Sequence, residues 1–101
     1  MSSGNVFIDQ IKACLLRDLA NDPVKVYLFG SRARGAGELS SDVDIGFVPG
    51  KDFDMNRLTL LKEKIEHLNI PYTVDFVNLN EVDEQFRREV LKDAILWKDC
   101  P

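Results

Sequence analysis

The sequence predicts an α/β or α+β fold, in which helices cover a β-sheet. Segments with apolar residues at steps of three and four, typical of amphipathic helices, alternate along the chain with short runs of β-branched and aromatic residues, typical of buried strands. This alternation indicates a sheet with helices packed on it. The 101 residues are enough for one domain, expected over residues 1–101, with one modest hydrophobic core.

The first elements follow from this alternation and from the residues that interrupt it. A helix is expected from about Asn5 to Ala20, and Pro23 ends it because the residue before a proline is pushed out of the helical region. A buried strand is expected at Val24–Phe29, where Gly30 ends it. A short helix is expected after Ser31.

The middle of the chain predicts a strand, a helix and a further strand. The second strand is expected at Val43–Val48, before the turn residues Pro49-Gly50. Asp54 is suited to cap the next helix, which Ile70-Pro71 closes. The third strand is expected at Tyr72–Val77. The intervening helix is long enough for a crossover between the second and third strands, whereas the pattern leaves the pairing of the first two strands open.

The end of the chain predicts one more helix and an apolar segment. Asn80 or Asp83 could cap the helix, and Ile95-Leu96-Trp97 could form an edge strand or a docking segment. Trp97 and Phe86 are expected in the core, with an interface as the alternative.

Composition excludes several classes of function. The net charge of −4 makes non-specific nucleic-acid binding unexpected, because such binding depends on Lys and Arg neutralising phosphates. No apolar stretch approaches the length that spans a bilayer, and the start lacks the pattern of a signal peptide, so the cytoplasm is the expected location and no membrane partner is expected. Cys14 and Cys100 are expected to be unpaired thiols.

A glycine and a serine follow the first strand and begin a basic stretch. Gly30 permits a tight turn and the close approach of a ligand, and the Ser31 hydroxyl lies where free backbone N–H groups at a helix start bind anions. Arg32 and Arg34 could add charge-assisted bonds to phosphate oxygens. Gly-Ser after a strand is also common in plain turns, so this feature alone does not identify a site.

Two carboxylates follow at the start of the second strand. Asp42 and Asp44 would face the same side of the sheet, because alternate residues of a strand do so. Like charges side by side are costly unless a cation lies between them, and Mg²⁺ takes one or two carboxylates together with substrate phosphates. Two solvated acids at a strand edge remain the alternative.

A third acid, Asp75, lies within the third strand between apolar residues. Burying an unpaired acid there would be expensive, and a metal site beside it would explain its presence. Three carboxylates on adjacent strands could hold two metal ions, as in two-metal nucleotidyl transfer.

Gly30-Ser31, ten further residues, and then Asp42-Val43-Asp44 resemble the signature of the minimal nucleotidyltransferases (MNT) of the DNA polymerase β-like superfamily. Asp75 matches the third carboxylate of that family. The resemblance implies a mixed β-sheet flanked by helices, and transfer of a nucleoside monophosphate from an NTP, usually with Mg²⁺.

The resemblance also implies a role for each matching residue. Asp42 and Asp44 would ligate metal, of which two ions are expected. Asp75 would ligate one metal and act as, or help position, the base for the attacking hydroxyl.

The remaining motif positions are implied to bind nucleotide. Gly30 and Ser31 would hold the triphosphate of ATP or another NTP. Arg32 and Arg34 occupy the basic positions of the motif.

Many small members of the family resemble the antitoxins of HEPN–MNT toxin–antitoxin pairs, which implies AMP transfer to a tyrosine of a HEPN partner in a hetero-oligomer. A chain of this length has no room for a separate acceptor-binding domain, so we expect another chain to present the acceptor. A non-catalytic antitoxin that neutralises its partner by complex formation is one alternative. Transfer to a small molecule is another.

Overall fold

A computed structural model describes residues 6–30, 33 and 42–100 of the protein. These segments contain three helices and four strands. In chain order they are α1 (Val6–Asp18), β1 (Val24–Phe29), β2 (Asp42–Pro49), α2 (Asn56–Glu66), β3 (Thr73–Asn78), α3 (Glu84–Asp93) and β4 (Ile95–Lys98).

The four described strands form one mixed sheet in the order β3-β2-β1-β4. β1 pairs antiparallel with both β2 and β4, which answers the question of pairing that the sequence leaves open. β2 and β3 pair in parallel, as a crossover through α2 requires. The α+β fold with a mixed sheet is therefore confirmed, and the last apolar segment is an edge strand.

The element boundaries agree with the predicted ones within a few residues, and β1 agrees at both ends. Asp83 caps α3, since its Oδ1 accepts a hydrogen bond of 2.8 Å from the backbone N–H of Phe86. Asp54 was expected at the cap position of α2, but Met55 occupies that position and Asp54 lies one residue before it. The Oδ1 of Asp54 still accepts a hydrogen bond of 3.0 Å from the backbone N–H of Asn56, the first residue of the helix.

One face of the sheet carries the hydrophobic core. Alternate residues of β2, namely Val43, Ile45 and Phe47, are fully buried, as strand geometry dictates for side chains that share a face. They pack with apolar residues from β1, α1 and α2 in one cluster. Burial on this face fixes the register of β2, because a shift by one residue would turn its aspartates into the core.

The opposite face of the sheet is more polar and is met by α3. Of the three described helices, α3 is the one without a fully buried side chain. Trp97 of β4 packs against the core as predicted, whereas Phe86 of α3 is 44% exposed, so the expected core position is wrong for Phe86. The reason is that α3 lies beyond the core cluster, where its apolar side chains have few partners.

Two further expectations concern the thiols and the membrane. Cys14 is buried and Cys100 is exposed, and both are free thiols, as predicted. In the segments that the structure describes, no helix is both long enough and apolar enough to cross a membrane.

Candidate active site

Three carboxylates lie on the polar face of the sheet, on two neighbouring strands. Asp44 of β2 is the register partner of Asp75 on β3, and Asp42 lies two residues before Asp44 on the same face. Val43, between the two β2 acids, is buried in the core, which directs both acids to the opposite side. The parallel pairing of β2 and β3 therefore brings together three acids that are far apart in sequence.

Burial differs among these acids, and one expectation is wrong. Asp75 was expected to be a buried acid, but it is exposed. β3 is an edge strand, and only its core-facing side chains, such as Val74, are covered. The acid in the interior strand, Asp44, is the least exposed of the three, while Asp42 is exposed.

The pKa of Asp44 is affected by both of the other acids. Burial raises the pKa of its carboxyl group, and the charges of Asp75 and Asp42 raise it further, in that order. Each of these causes disfavours the ionised form of Asp44. A cation held among the three carboxylates would offset all of them.

Gly30 ends β1 directly beside Asp44. Its φ of +79° lies in the left-handed region that favours glycine, and its carbonyl accepts a hydrogen bond of 3.1 Å from the N–H of Ala33. A Cβ on Gly30 would collide with Oδ2 of Asp44 and lie 3.3 Å from its Cγ. Backbone conformation and available space therefore both require glycine here.

The other residues proposed to bind nucleotide, Ser31, Arg32 and Arg34, lie outside the described residues, as does most of the short helix expected after β1. Their roles stay predictions. Gly30, the first residue of that motif, is placed by the structure against the middle acid of the site.

The donor set fits a hard divalent cation such as Mg²⁺. Carboxylate oxygens are its preferred protein ligands, and it commonly takes only one or two of them, with substrate phosphates completing the shell. Within residues 6–30, 33 and 42–100, no three acidic, His or Cys side chains are arranged to enclose a metal ion as they stand. The three acids share a face of the sheet, and the charges of Asp42 and Asp75 act on the Asp44 carboxyl group.

Sequence reasoning missed a cavity that adjoins this site. Its walls come from the end of β1 and from α3, and its volume is about 270 Å³. The residues that line it are Phe29, Gly30, Phe86, Glu89 and Val90. The signal for it was the spacing of Phe86 and Val90, four residues apart on one face of a helix, which the sequence alone assigns to the core.

The repulsion at Asp44 predicts that Asp44→Asn stabilises the protein when divalent metal is removed. Asn is close in shape to Asp but lacks the charge that burial and the two other acids disfavour. The expected gain is about 0.5 kcal/mol, or roughly 2–4 °C in Tm. Thermal unfolding in EDTA at neutral pH measures it.

The pH dependence of this gain follows from the direction of the pKa shift. A raised pKa in the folded state means that the penalty is present when Asp44 is ionised and disappears as the pH falls and protonates it. The difference in Tm between Asp44→Asn and wild type should therefore shrink at acidic pH. Asp52→Asn, in an exposed turn, is the matched control, and an equal gain there would attribute the effect to net charge alone.

Comparisons with known proteins agree with this geometry. A family model described as "Polymerase beta, Nucleotidyltransferase" matches residues 9–99. The chain is 30% identical over 85 residues to a Haemophilus influenzae protein named "probable protein adenylyltransferase MntA", covering 84% of this chain and 74% of that protein.

Two solved structures are similar in fold. A provisionally assigned minimal nucleotidyltransferase matches with a TM-score of 0.71 and 27% identity, over 93% of this chain and 98% of that one. A structure of the tri-AMPylated Shewanella oneidensis HEPN toxin in complex with MNT antitoxin matches with a TM-score of 0.63 and 20% identity, over 93% and 71%.

Proposed function

The chain belongs to the polymerase beta nucleotidyltransferase family, and from this premise we propose that it transfers AMP from ATP to a tyrosine hydroxyl of a HEPN toxin and thereby acts as its antitoxin. The observation that carries the proposal is the placement of Asp44. It lies between two further carboxylates and against Gly30, so the acids and the start of the nucleotide-binding motif form one site.

The proposed substrate and acceptor rest on the relatives. The Haemophilus influenzae relative is named as a protein adenylyltransferase, which supports ATP as the donor and a protein as the acceptor. In the Shewanella oneidensis complex, an AMPylated HEPN toxin is bound to an MNT antitoxin. This chain has the same fold as that antitoxin, which supports a HEPN partner in a hetero-oligomer.

The three acids are proposed to hold divalent metal, namely two Mg²⁺ ions. Asp42 and Asp44 would be metal ligands from β2. Asp75, which is the register partner of Asp44, would be a further ligand from β3. When bound, Mg²⁺ supplies positive charge that neutralises the phosphates and lowers the pKa of an attacking hydroxyl.

The residues of the chain would then position the acceptor and ATP for a single displacement at phosphorus. The acceptor oxygen forms a bond to the α-phosphorus of ATP in line with the bond that breaks, and pyrophosphate leaves. Asp75, which is exposed at the edge of the sheet, is proposed to orient the hydroxyl or accept its proton. Gly30 lets the phosphates approach the backbone closely, and Ser31 is proposed to bind them, together with Arg32 and Arg34.

A single minimal nucleotidyltransferase domain over residues 1–101 is part of the proposal. The sheet and helices use most of the described residues for one core and one polar face. The acceptor is proposed to come from a partner chain, as the AMPylated HEPN toxin bound to the Shewanella oneidensis MNT antitoxin suggests.

A second candidate function is neutralisation by complex formation alone. It is favoured by apolar side chains of α3 and β4 that are exposed in the isolated chain, namely Phe86, Leu91, Ile95 and Leu96. Such residues are suited to contact a partner whether or not transfer occurs. The two functions are compatible, and the three acids bear on catalysis only.

The test uses the purified chain with its HEPN partner, Mg²⁺ and ATP labelled at either the α- or the γ-phosphate. Label from the α-phosphate should appear on a tyrosine of the partner, with release of pyrophosphate, and label from the γ-phosphate should not. Transfer of γ-label would identify phosphoryl transfer instead. Full neutralisation of the toxin by the Asp42→Asn/Asp44→Asn variant, without any label transfer, would favour the binding function.

A further inference from the structure

The cavity between α3 and the end of β1, the α3 cavity from here on, is not used by the displacement described above. Phe29 and Gly30 form its wall on the sheet, and Phe86, Glu89 and Val90 form its wall on α3. Phe29 is 7% exposed, whereas Phe86 is 44% exposed and so presents much of its ring to solvent or to a ligand.

The α3 cavity opens on the same face of the sheet as the acids. A Cβ on Gly46 would lie 3.3 Å from Cδ1 of Phe29, so Phe29 shares the face of Gly46 and, two residues earlier, of Asp44. Gly30 belongs to the cavity wall and also contacts the Asp44 carboxylate. A ligand held at the acids can therefore extend into the cavity without crossing the core.

The cavity lies on one side of Asp44, and Asp75 lies on the other. The sheet order β3-β2-β1-β4 places Asp75 on β3, Asp44 on β2, and Phe29 with Gly30 on β1. If Asp75 orients the acceptor hydroxyl, the acceptor approaches from the β3 side. The nucleotide is then left with the β1 side, where the cavity is.

The side chains of the described residues that line the cavity suit a flat apolar ring better than phosphate. Two phenylalanines and a valine provide apolar walls, and Glu89 is the one charged residue among the described residues that line it. Its Oε2 lies 3.2 Å from Nζ of Lys92, so the carboxylate is partly neutralised but still an acceptor. A carboxylate repels phosphate oxygens and can accept hydrogen bonds from ring or amino N–H groups.

We propose that the α3 cavity binds the nucleobase of the donor nucleotide, with the base stacked on Phe86 and a base N–H directed to Glu89. This inference rests on the proposed function, because it assumes that a nucleoside triphosphate binds at the acids. It assigns to Phe86, which lies outside the Gly-Ser and Asp-x-Asp motifs, a role in determining affinity for the nucleoside part of the substrate. The volume of about 270 Å³ is large enough for one nucleobase.

The test measures binding, without acceptor, of two probes in the presence of Mg²⁺: the non-hydrolysable analogue α,β-methylene-ATP, and inorganic tripolyphosphate, which lacks a base. Phe86→Ala should weaken binding of the ATP analogue roughly 5- to 150-fold, the range for loss of one base–aromatic stack. Binding of tripolyphosphate should not change, and Phe86→Trp should retain analogue binding. Leu91→Ala is the matched control, since Leu91 is on the same helix, is 38% exposed and is not in the cavity wall.

Each alternative result overturns the inference in a distinguishable way. If Phe86→Ala leaves analogue binding unchanged, or weakens both probes equally, the base does not bind in the α3 cavity, and the proposed function is untouched. If Phe86→Ala weakens only the complex with the HEPN partner, the cavity belongs to the acceptor. If wild type binds neither probe, the inference and the proposed function fail together. If the expected binding pattern is found without any transfer to the partner, the inference stands and the proposed function fails.

Discussion

Asp44→Asn should lower the rate of nucleotidyl transfer by about three orders of magnitude or more, which corresponds to roughly 4 kcal/mol of transition-state stabilisation. Asp44 is the acid with a carboxylate neighbour both along its own strand and across to β3. Burial and the two other acids disfavour its charge in the free protein, and a bound cation, as proposed, would neutralise it. The variant removes the charge while keeping the shape of the side chain.

Single-turnover transfer from α-labelled ATP to the HEPN partner at saturating Mg²⁺ measures this loss. The variant should remain folded and, in EDTA, be slightly more stable than wild type, so the lost activity cannot be ascribed to unfolding. Asp52→Asn should keep the wild-type rate, because Asp52 is exposed in a turn outside the strands that carry the three acids. If the rate of Asp44→Asn were within tenfold of that of wild type, Asp44 would not be a catalytic residue.

Gly30→Ala should lower transfer about 100-fold and also destabilise the protein. The φ of +79° costs a residue with a Cβ about 1–2 kcal/mol. The new Cβ collides with Oδ2 of Asp44, so either the turn or the carboxylate has to move. Displacement of a catalytic group by about 1 Å can cost on the order of 100-fold in rate.

Asn69→Ala provides the matched control for Gly30→Ala. Asn69 also has a positive φ, of 56°, but it lies in the turn after α2, outside the acid site. We expect it to lower Tm by straining the backbone while the transfer rate stays near that of wild type. Thermal unfolding of both variants measures the backbone strain, and single-turnover kinetics measures the effect of displacing Asp44 on the transfer rate. Equal losses of rate in the two variants would contradict the role given to the Gly30 contact.

The sequence predicted those parts of the fold that depend on local pattern. β1 was predicted with both ends correct, because β-branched and aromatic residues fill it and a proline and a glycine flank it. The shared face of Asp42 and Asp44 followed from strand alternation, and the burial of Val43 confirms it. The helix between β2 and β3 was recognised as long enough for a crossover, and the two strands do pair in parallel.

The wrong or open predictions depend on which elements become neighbours. Asp75 was expected to be buried because apolar residues flank it, but whether a strand lies at the edge of a sheet is not encoded in its own pattern. The antiparallel pairing of β1 and β2 is likewise a property of the assembled sheet. Phe86 has the spacing of a core residue, and only the position of α3 leaves it exposed beside Gly30.

The most direct test of the central claim, that the acids on β2 carry out nucleotidyl transfer, is the intact mass of the HEPN partner after incubation with ATP and Mg²⁺. With the wild-type chain, the account predicts a mass increase of one or more AMP units on the partner. With Asp42→Asn/Asp44→Asn, it predicts an unmodified partner that still co-purifies with the chain. The same AMP-sized increase with the double variant, or an unmodified partner with wild type, would contradict the account.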